Sequence, residues 1–199
     1  MHNYKIILAS NSPRRKELLS GLDLQFEVKV IPGIDESYPD TLSPFATAEY
    51  IAAKKAEAYK ALFSEEAEQP LLVITADTVV IARTGQDETV ILGKPKDAAE
   101  AHRMLTLLSG ATHHVVTGVC LTTSKEQRRF SVTTKVTFRS LKDEEIDYYI
   151  SHYRPFDKAG AYGIQEWIGY VGCTGLEGSY FNVMGLPVQR IYEEMEKLK

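Results

Sequence analysis

Residues 4–22, YKIILASNSPRRKELLSGL, decide the fold because they place a buried strand directly before a helix. The run YKIILA is typical of a buried strand. Ser12 is a plausible helix cap and Pro13 suits the first helical position, so a helix is predicted from Pro13 to about Gly21. A strand that passes straight into a helix is a building block of α/β folds.

The rest of the chain continues this alternation of strands and helices. Strands are predicted over residues 24–30, 70–80, 113–124 and 128–141, with a hairpin through 83–88, and helices over 45–63, 97–110, 143–153 and 187–199. Residues 31–44 contain three prolines and no periodicity, which predicts a long loop of the kind that often carries function. Residues 157–187 form a glycine-rich stretch. The pattern predicts an α/β fold rather than a helical bundle or a β-sandwich.

The composition limits the classes of partner. The 199 residues carry a net charge of −4, with 44% hydrophobic and 25% charged residues. A nucleic-acid polymer or an anionic membrane selects a basic face, so neither is an expected partner. A small anion needs only a local cluster of cations, and this class of ligand stays open. Because no apolar run is long enough for a secretion signal or a membrane span, a cytoplasmic protein is expected.

Two arginines occupy the first turn of the first predicted helix. The unpaired N–H groups already make a helix start positive, so Arg14 and Arg15 are mildly unfavourable there without an anion. With the hydroxyls of Ser10 and Ser12 they predict an anion site at the strand-to-helix turn. The alternative is that both arginines face water or pair with surface acids such as Glu17.

Three acidic residues are candidates for catalysis or metal binding because of their positions. Asp77 comes straight after the apolar run LLVIT and is predicted to emerge at the carboxyl end of a buried strand. A carboxylate there often serves as a general base or a metal ligand, although a turn or cap aspartate is the common alternative. Asp35 and Glu36, in the long loop, are within reach of a divalent metal or are simply solvated.

Three lysines are candidates for phosphate binding. Lys94 lies in the turn LGKP, Lys55 lies in the alanine-rich helix, and Lys158 lies in the loop DKAGAYGIQ. A single lysine is most often a solvated surface charge. Together with the arginines, these lysines predict a site that neutralises a polyphosphate.

Six motifs in order, LASNSPRRKELL, ADTVV, LGKP, LSGATHHVVTGV, DKAGAYGIQ and GSYFNVMGLP, closely resemble the Maf family of nucleoside triphosphate pyrophosphatases. The resemblance covers nearly the whole chain, from about Tyr4 to Pro187. It implies one domain over residues 1–199, with a mixed twisted sheet flanked by helices and two lobes with a central cleft, as in inosine triphosphate pyrophosphatases. It also implies hydrolysis of a nucleoside triphosphate to the monophosphate and pyrophosphate, assisted by a divalent cation, Mg²⁺ or Mn²⁺, and a homodimer.

The same resemblance implies roles for individual residues. Asp77 matches the proton acceptor, and Glu36 is the expected metal ligand. The positions that bind phosphates or support the site are Ser10, Arg14, Arg15, Lys55 and Lys94. The positions associated with substrate choice are Arg14, Thr78 and Gln165, which resemble the subfamily that acts on dTTP and UTP. A glutamine amide can pair with the N3–H and a carbonyl of uracil or thymine, although a flipped amide suits cytosine.

Two other functions remain open at this stage. One is a pyrophosphatase for 7-methyl-GTP or another modified nucleotide. The other, from a different class, is a nucleotide-sensing regulator of septum formation without turnover. A pure binder has no need of an activated water, so Asp77→Asn separates the two classes: the enzyme loses its effect and the sensor keeps it.

Overall fold

The fold is organised around one sheet. The computed structural model describes residues 4–63, 69–85 and 88–198. Within these ranges, the strands are β1 (Lys5–Leu8), β2 (Phe26–Val28), β3 (Leu71–Arg83), β4 (Thr89–Leu92), β5 (Thr112–Thr122), β6 (Gln127–Phe138) and β7 (Cys173–Glu177). They form one sheet in the order β2-β1-β3-β5-β6-β7, with β4 paired to β3.

The sheet is mixed in direction. Strand β1 is parallel to both neighbours, with Leu8 opposite Val28 on one side and Ile74 on the other. Strands β3 and β4 are antiparallel, and so are β6 and β7. Parallel neighbours require crossover connections, which the helices provide, and this confirms the predicted α/β class.

The helices of the described residues connect these strands. They are α1 (Pro13–Ser20), α2 (Pro44–Glu57), α3 (Ala98–Leu108), α4 (Asp143–Tyr153), α5 (Trp167–Gly172), α6 (Tyr180–Met184) and α7 (Val188–Met195). Short 3₁₀ turns cover Lys60–Leu62 and Ala159–Ala161. No helix within residues 4–63, 69–85 and 88–198 is long and apolar enough to cross a lipid bilayer.

The chain divides into two compact units. The first comprises Met1–Asp77, Thr117–Val132 and Gly185–Lys199, and the second comprises Thr78–Val116 and Thr133–Met184. Strands β3, β5 and β6 each contribute residues to both units. The boundary within β3 falls between Asp77 and Thr78.

In the first unit, α2 packs closely on the sheet. The Thr75 hydroxyl of β3 donates to the main-chain oxygen of Ala52, 2.6 Å away, and the face of α2 that includes Ala52 is buried. Gly118 of β5 lies so near the helix that a β-carbon there would stand 2.2 Å from the carbonyl carbon of Ala48. The alanines of α2 therefore allow a close approach that larger side chains would prevent.

The second unit has an apolar core formed by α3, α4 and residues of the neighbouring strands. The core includes Leu105, Leu108, Phe138, Ile146 and Tyr149, all nearly inaccessible to solvent. Asp97 caps α3 by accepting from the main-chain N–H of Glu100, 2.8 Å away. This rigid core supports the segments that carry the candidate site residues of the second unit.

Most predicted elements are confirmed, with differences in extent. The helix over 143–153 has the predicted bounds, whereas the helix predicted over 45–63 ends at Glu57 and is followed by a 3₁₀ turn. Within the predicted hairpin turn, residues 86 and 87 lie outside the described residues. The glycine-rich stretch 157–187 was assigned no element, but it forms α5, β7 and α6.

Candidate active site

The strand-to-helix turn of the first unit is built by serine hydroxyls. Ser12 caps α1, because its side chain accepts from the main-chain N–H of Arg15, 3.4 Å away, and Pro13 occupies the first turn. The buried Ser10 hydroxyl accepts from the main-chain N–H of Ser12 at 3.2 Å. Both predictions for this helix start, its cap and its proline, are confirmed.

Arg15 is held against main-chain carbonyls. Its Nη1 donates to the oxygen of Ala76 at 2.7 Å and its Nε donates to the oxygen of Gly185 at 2.8 Å. Burial lowers the pKa of Arg15, while the Asp77 carboxylate opposes that shift and the neighbouring Arg14 adds to it. Arg15 thus ties α1 to the residue before Asp77 and to the first residue of the closing segment.

Lys55 joins two carboxylates of the first unit. Its ammonium lies 2.8 Å from Asp77 Oδ1 and 3.0 Å from Glu36 Oε1. The side chains of Lys55 and Asp77 are 14% and 15% exposed, so this pair is well shielded, whereas Glu36 is 53% exposed. The helix α2 therefore presents Lys55 inward, and the long loop 31–44 brings Glu36 to it.

The preceding residues of the same two elements form a separate pair. Lys54 Nζ lies 2.7 Å from Asp35 Oδ2 and also donates to the main-chain oxygen of Ser37 at 2.9 Å. Asp35 in turn accepts from the N–H and hydroxyl of Ser37. These bonds lower the pKa of Asp35, mainly through the hydrogen bond from Lys54. Asp35 thus holds the loop, and Glu36 is the acid of this loop that reaches Lys55.

Asp77 lies within a strand, which corrects the prediction that it emerges at a strand end. Strand β3 continues to Arg83, because the β-branched residues that follow Asp77 pair with β4 from Val80 onward. The carboxylate is accommodated there because Lys55 pairs with it. The sequence signal for one long strand is that apolar residues continue on both sides of Asp77.

The carboxylates of Asp77 and Glu36 fit a divalent cation. Both lie within 3.0 Å of one ammonium, so the two carboxylates are close together, and carboxylate oxygens are donors that Mg²⁺ and Mn²⁺ prefer. Across residues 4–63, 69–85 and 88–198 no group of three or more potential ligating side chains is assembled. Mg²⁺ commonly uses one or two carboxylates together with substrate phosphates, so two protein acids are a suitable set.

The second unit carries the remaining predicted residues, Thr78, Lys94 and Gln165. Lys94 is exposed in its turn, and the preceding Gly93 accepts a 3.0 Å hydrogen bond from the N–H of Gly160. Gly160 has a φ of 68° and leaves no space for a β-carbon, which would meet Val80 Cγ2 at 2.8 Å. The segment 158–166 is thereby bound to the turn of Lys94.

Gln165 has a buried, unsatisfied polar atom. Its Oε1 is inaccessible and accepts no hydrogen bond from the described part of the chain. A buried acceptor without a donor is costly, and such atoms in native proteins often await a ligand or water.

Lys158 differs from the prediction of a phosphate-binding lysine. It is buried, at 8% exposure, and its ammonium pairs with Asp157 at 2.8 Å and Glu166 at 3.1 Å. The hydroxyl of Tyr149 also donates to Glu166. The charge of Lys158 is thus committed to two carboxylates. The roles of Tyr149 and Glu166 were missed, because their spacing in the sequence has no periodic signal.

Comparison with known proteins identifies the family of this chain. Residues 5–198 match a family described as Maf-like protein. A protein of Phocaeicola vulgatus named dTTP/UTP pyrophosphatase is 58% identical over 198 residues, which are 100% of this chain and 98% of that protein. Proteins with the same name from Porphyromonas gingivalis and Flavobacterium johnsoniae are 55% and 43% identical, over 98% and 100% of this chain and 95% and 97% of theirs. The chain therefore belongs to the Maf family.

Proposed function

We propose that the protein hydrolyses dTTP and UTP to the nucleoside monophosphate and pyrophosphate. The observation that carries this proposal is the shielded cluster in which Lys55 joins Asp77 and Glu36. The names of relatives that align over nearly their full length support the substrates. A binding protein has no need of a carboxylate held in a fixed position beside cations, whereas a hydrolase needs one to activate water.

Asp77 is the proton acceptor of the proposed reaction. It takes a proton from the water that attacks the α-phosphorus, and the bond from that phosphorus to the bridging oxygen of the pyrophosphate breaks. Lys55 holds Asp77 Oδ1 at 2.8 Å, so one carboxylate oxygen is fixed and the orientation of the other is defined. Arg15 holds the main chain at Ala76, so the strand cannot shift away from the attacking water.

Positive charges stabilise the departing pyrophosphate. Ser10, Arg14, Arg15 and the first N–H groups of α1 are assigned to phosphate binding, because a capped helix start with arginines in its first turn favours an anion. The exposed ammonium of Lys94 is assigned to the same charge. Preorganised cations of this kind give their largest benefit where charge develops in the transition state.

Asp77 and Glu36 are assigned to a divalent cation, Mg²⁺ or Mn²⁺. When bound, such a cation neutralises phosphate oxygens and polarises the phosphorus. Thr78, Arg14 and Gln165 are assigned to substrate choice. The Oε1 of Gln165, which has no donor among the residues that the structure describes, is a suitable acceptor for the N3–H of uracil or thymine, which cytosine lacks. The single domain, the cytoplasmic location and the homodimer stay predictions.

The test is a substrate screen with the pure protein. We would incubate it with dTTP, UTP, CTP, 7-methyl-GTP and ITP, each with Mg²⁺ or Mn²⁺, and assay pyrophosphate and phosphate separately. Pyrophosphate from dTTP and UTP, abolished by Asp77→Asn and retained by the exposed-loop control Asp40→Asn, is the expected result. Release mainly from 7-methyl-GTP would contradict the substrate assignment, and binding without turnover would contradict the reaction.

A further inference from the structure

The residues on both sides of Gln165 are held by one buried hydroxyl. Tyr149 is fully buried in α4, and its hydroxyl donates to Glu166 Oε2 and accepts from the main-chain N–H of Gly163 at 3.0 Å. Burial raises the pKa of Tyr149, and Glu166 adds to the shift, so the hydroxyl keeps its proton and remains a donor. The hydroxyl of Tyr149 thus binds both the N–H of Gly163, two residues before Gln165, and the side chain of Glu166, directly after it.

The second oxygen of Glu166 is held as well. Oε1 lies 3.1 Å from the ammonium of Lys158, which is buried and also pairs with Asp157. Inside the loop, the N–H of Glu166 donates to the oxygen of Gly163 at 3.0 Å. The cluster of Tyr149, Lys158 and Glu166, called here the Glu166 cluster, therefore fixes the main chain that carries Gln165.

The Glu166 cluster packs closely against Gly163. A β-carbon at Gly163 would stand 2.9 Å from the carboxyl carbon of Glu166 and 3.1 Å from Lys158 Cε. In the first turn of α5, a β-carbon at Gly169 would stand 1.8 Å from the oxygen of Ile164. Two glycines thus allow the loop to close tightly around the residue whose side-chain oxygen is buried and unpaired.

A role in stability alone explains this arrangement poorly. Replacing a buried ion pair by apolar side chains of similar volume is often neutral or stabilising, because the charges must be stripped of water. The Glu166 cluster instead supplies directional bonds at three points around a residue with an unsatisfied acceptor. Directional bonds of this kind are useful where a side-chain atom must meet a ligand within a few tenths of an ångström.

We propose that Tyr149, Glu166 and Lys158 are positioning residues for base recognition, which hold the loop so that Gln165 Oε1 meets the N3–H of a uracil or thymine base. This inference rests on the proposed function and adds three residues to it. The Glu166 cluster acts through Gln165 and does not itself touch the base. Its loss should therefore reduce discrimination between bases rather than turnover of all nucleotides alike.

The test compares base selectivity in matched tyrosine variants. Tyr149→Phe removes only the hydroxyl. Tyr59→Phe is the control, because Tyr59 is equally buried in the first unit and its hydroxyl also accepts from one N–H, that of Ile31, and donates to one carbonyl, that of Lys29. For each variant we would measure kcat/KM with dTTP, UTP and dCTP, and thermal unfolding to verify the fold. Glu166→Gln provides a second removal of the pairing if Tyr149→Phe does not fold.

We expect Tyr149→Phe to lower the ratio of kcat/KM for dTTP to that for dCTP by about tenfold, mainly through KM, and Tyr59→Phe to leave the ratio unchanged. In a double-mutant cycle, the double variant Tyr149→Phe/Gln165→Ala should have nearly the same ratio as the single variant Gln165→Ala. An equal loss on all nucleotides, or additive effects in the cycle, would overturn the inference while the proposed function stands. A wild-type protein that releases no pyrophosphate from dTTP or UTP would overturn the proposed function itself.

Discussion

The guanidinium of Arg15 donates a 2.7 Å hydrogen bond to the main-chain oxygen of Ala76, the residue immediately before Asp77. Its second bond, to Gly185, ties the closing segment of the chain to the same side chain. An arginine predicted from its position to bind an anion thus also fixes the strand that carries the proposed base. Both roles suit a planar group with five donors.

Replacing Arg15 by lysine should damage both the fold and the reaction. One ammonium cannot reach two carbonyls in the geometry of the guanidinium fork, so Arg15→Lys should lower the free energy of unfolding by about 1–3 kcal/mol. We expect kcat to fall together with the melting temperature. The control is Arg103→Lys, since the Arg103 side chain is 77% exposed and pairs with Glu100 one turn away in α3. Equal losses in the two variants would contradict this role of Arg15.

The adjacent lysines of α2 should differ strongly in their effect on activity. Lys55→Met removes the charge that holds Asp77 and Glu36, and we expect kcat/KM for dTTP to fall about 100-fold. Lys54→Met removes the exposed pair with Asp35, and we expect a change of less than about threefold. Steady-state kinetics on both variants, at saturating Mg²⁺, provide the measurement. Similar losses would show that the pairing of Lys55 has no special role.

The adjacent acids of the long loop, Asp35 and Glu36, should differ in their contribution to binding of the divalent cation. Glu36→Gln should raise the Mg²⁺ or Mn²⁺ concentration required for half-maximal activity by about tenfold, since an amide oxygen is a weaker ligand than a carboxylate. Asp35→Asn should leave that concentration unchanged, because Asp35 faces Lys54 and Ser37. Titration of activity with each metal is the measurement. A shift in Asp35→Asn as large as that in Glu36→Gln would argue against Glu36 as the ligand.

Replacing Gly118 of β5 by any larger residue should destabilise the fold. A β-carbon there would stand 2.2 Å from main-chain atoms of Ala48 and Glu49, so α2 would have to move away from the sheet. We expect Gly118→Ala to lower the free energy of unfolding by about 3 kcal/mol or more, as measured by chemical denaturation. Gly85→Ala, with nothing within 4 Å of the new carbon, is the control and should change it little.

His113 should make the second unit sensitive to acid. Burial lowers the pKa of His113 to about 4, and its Nε2 lies 2.7 Å from the Tyr162 hydroxyl. Because the unfolded state takes up a proton near pH 6.5 and the folded state does not, stability should fall as the pH decreases from about 6.5 to about 4, by up to about 3 kcal/mol. His113→Phe should show a smaller loss over this window in denaturation measured at each pH. Identical slopes would exclude His113 as the source.

Local chemistry explains which parts of the fold were predictable from sequence. The start of α1 was predictable because Ser12 and Pro13 determine a helix start within one turn, and α4 was predictable from its acidic first turn and apolar spacing. The elements α5 and β7 were not, because they depend on contacts distant in sequence. Gly175, for example, lies against Thr137 of β6.

The candidate site was predictable in its residue types and less so in their pairing. Arg15, Lys55 and Asp77 were identified from position and resemblance, yet nothing in the sequence indicates that Lys55 bonds Asp77 while Lys54 bonds Asp35. Lys158 is one of three lysine candidates for phosphate binding in the sequence, and the structure pairs it with Glu166. Such pairings depend on which side chains the fold brings within 4 Å, and this information is absent from any local window of sequence.

The ammonium of Lys55 gives Asp77 and Glu36 a counter-ion that is covalently part of the chain. Repulsion between the two acids is therefore already offset when the protein folds, before any nucleotide or cation arrives. The two acids therefore do not need a metal ion to fold together, so a chelator should stop the reaction and leave the protein folded, with a melting temperature lowered only by the amount that cation binding itself contributes. The protein can thus persist through periods of low metal or low nucleotide as a folded, idle enzyme.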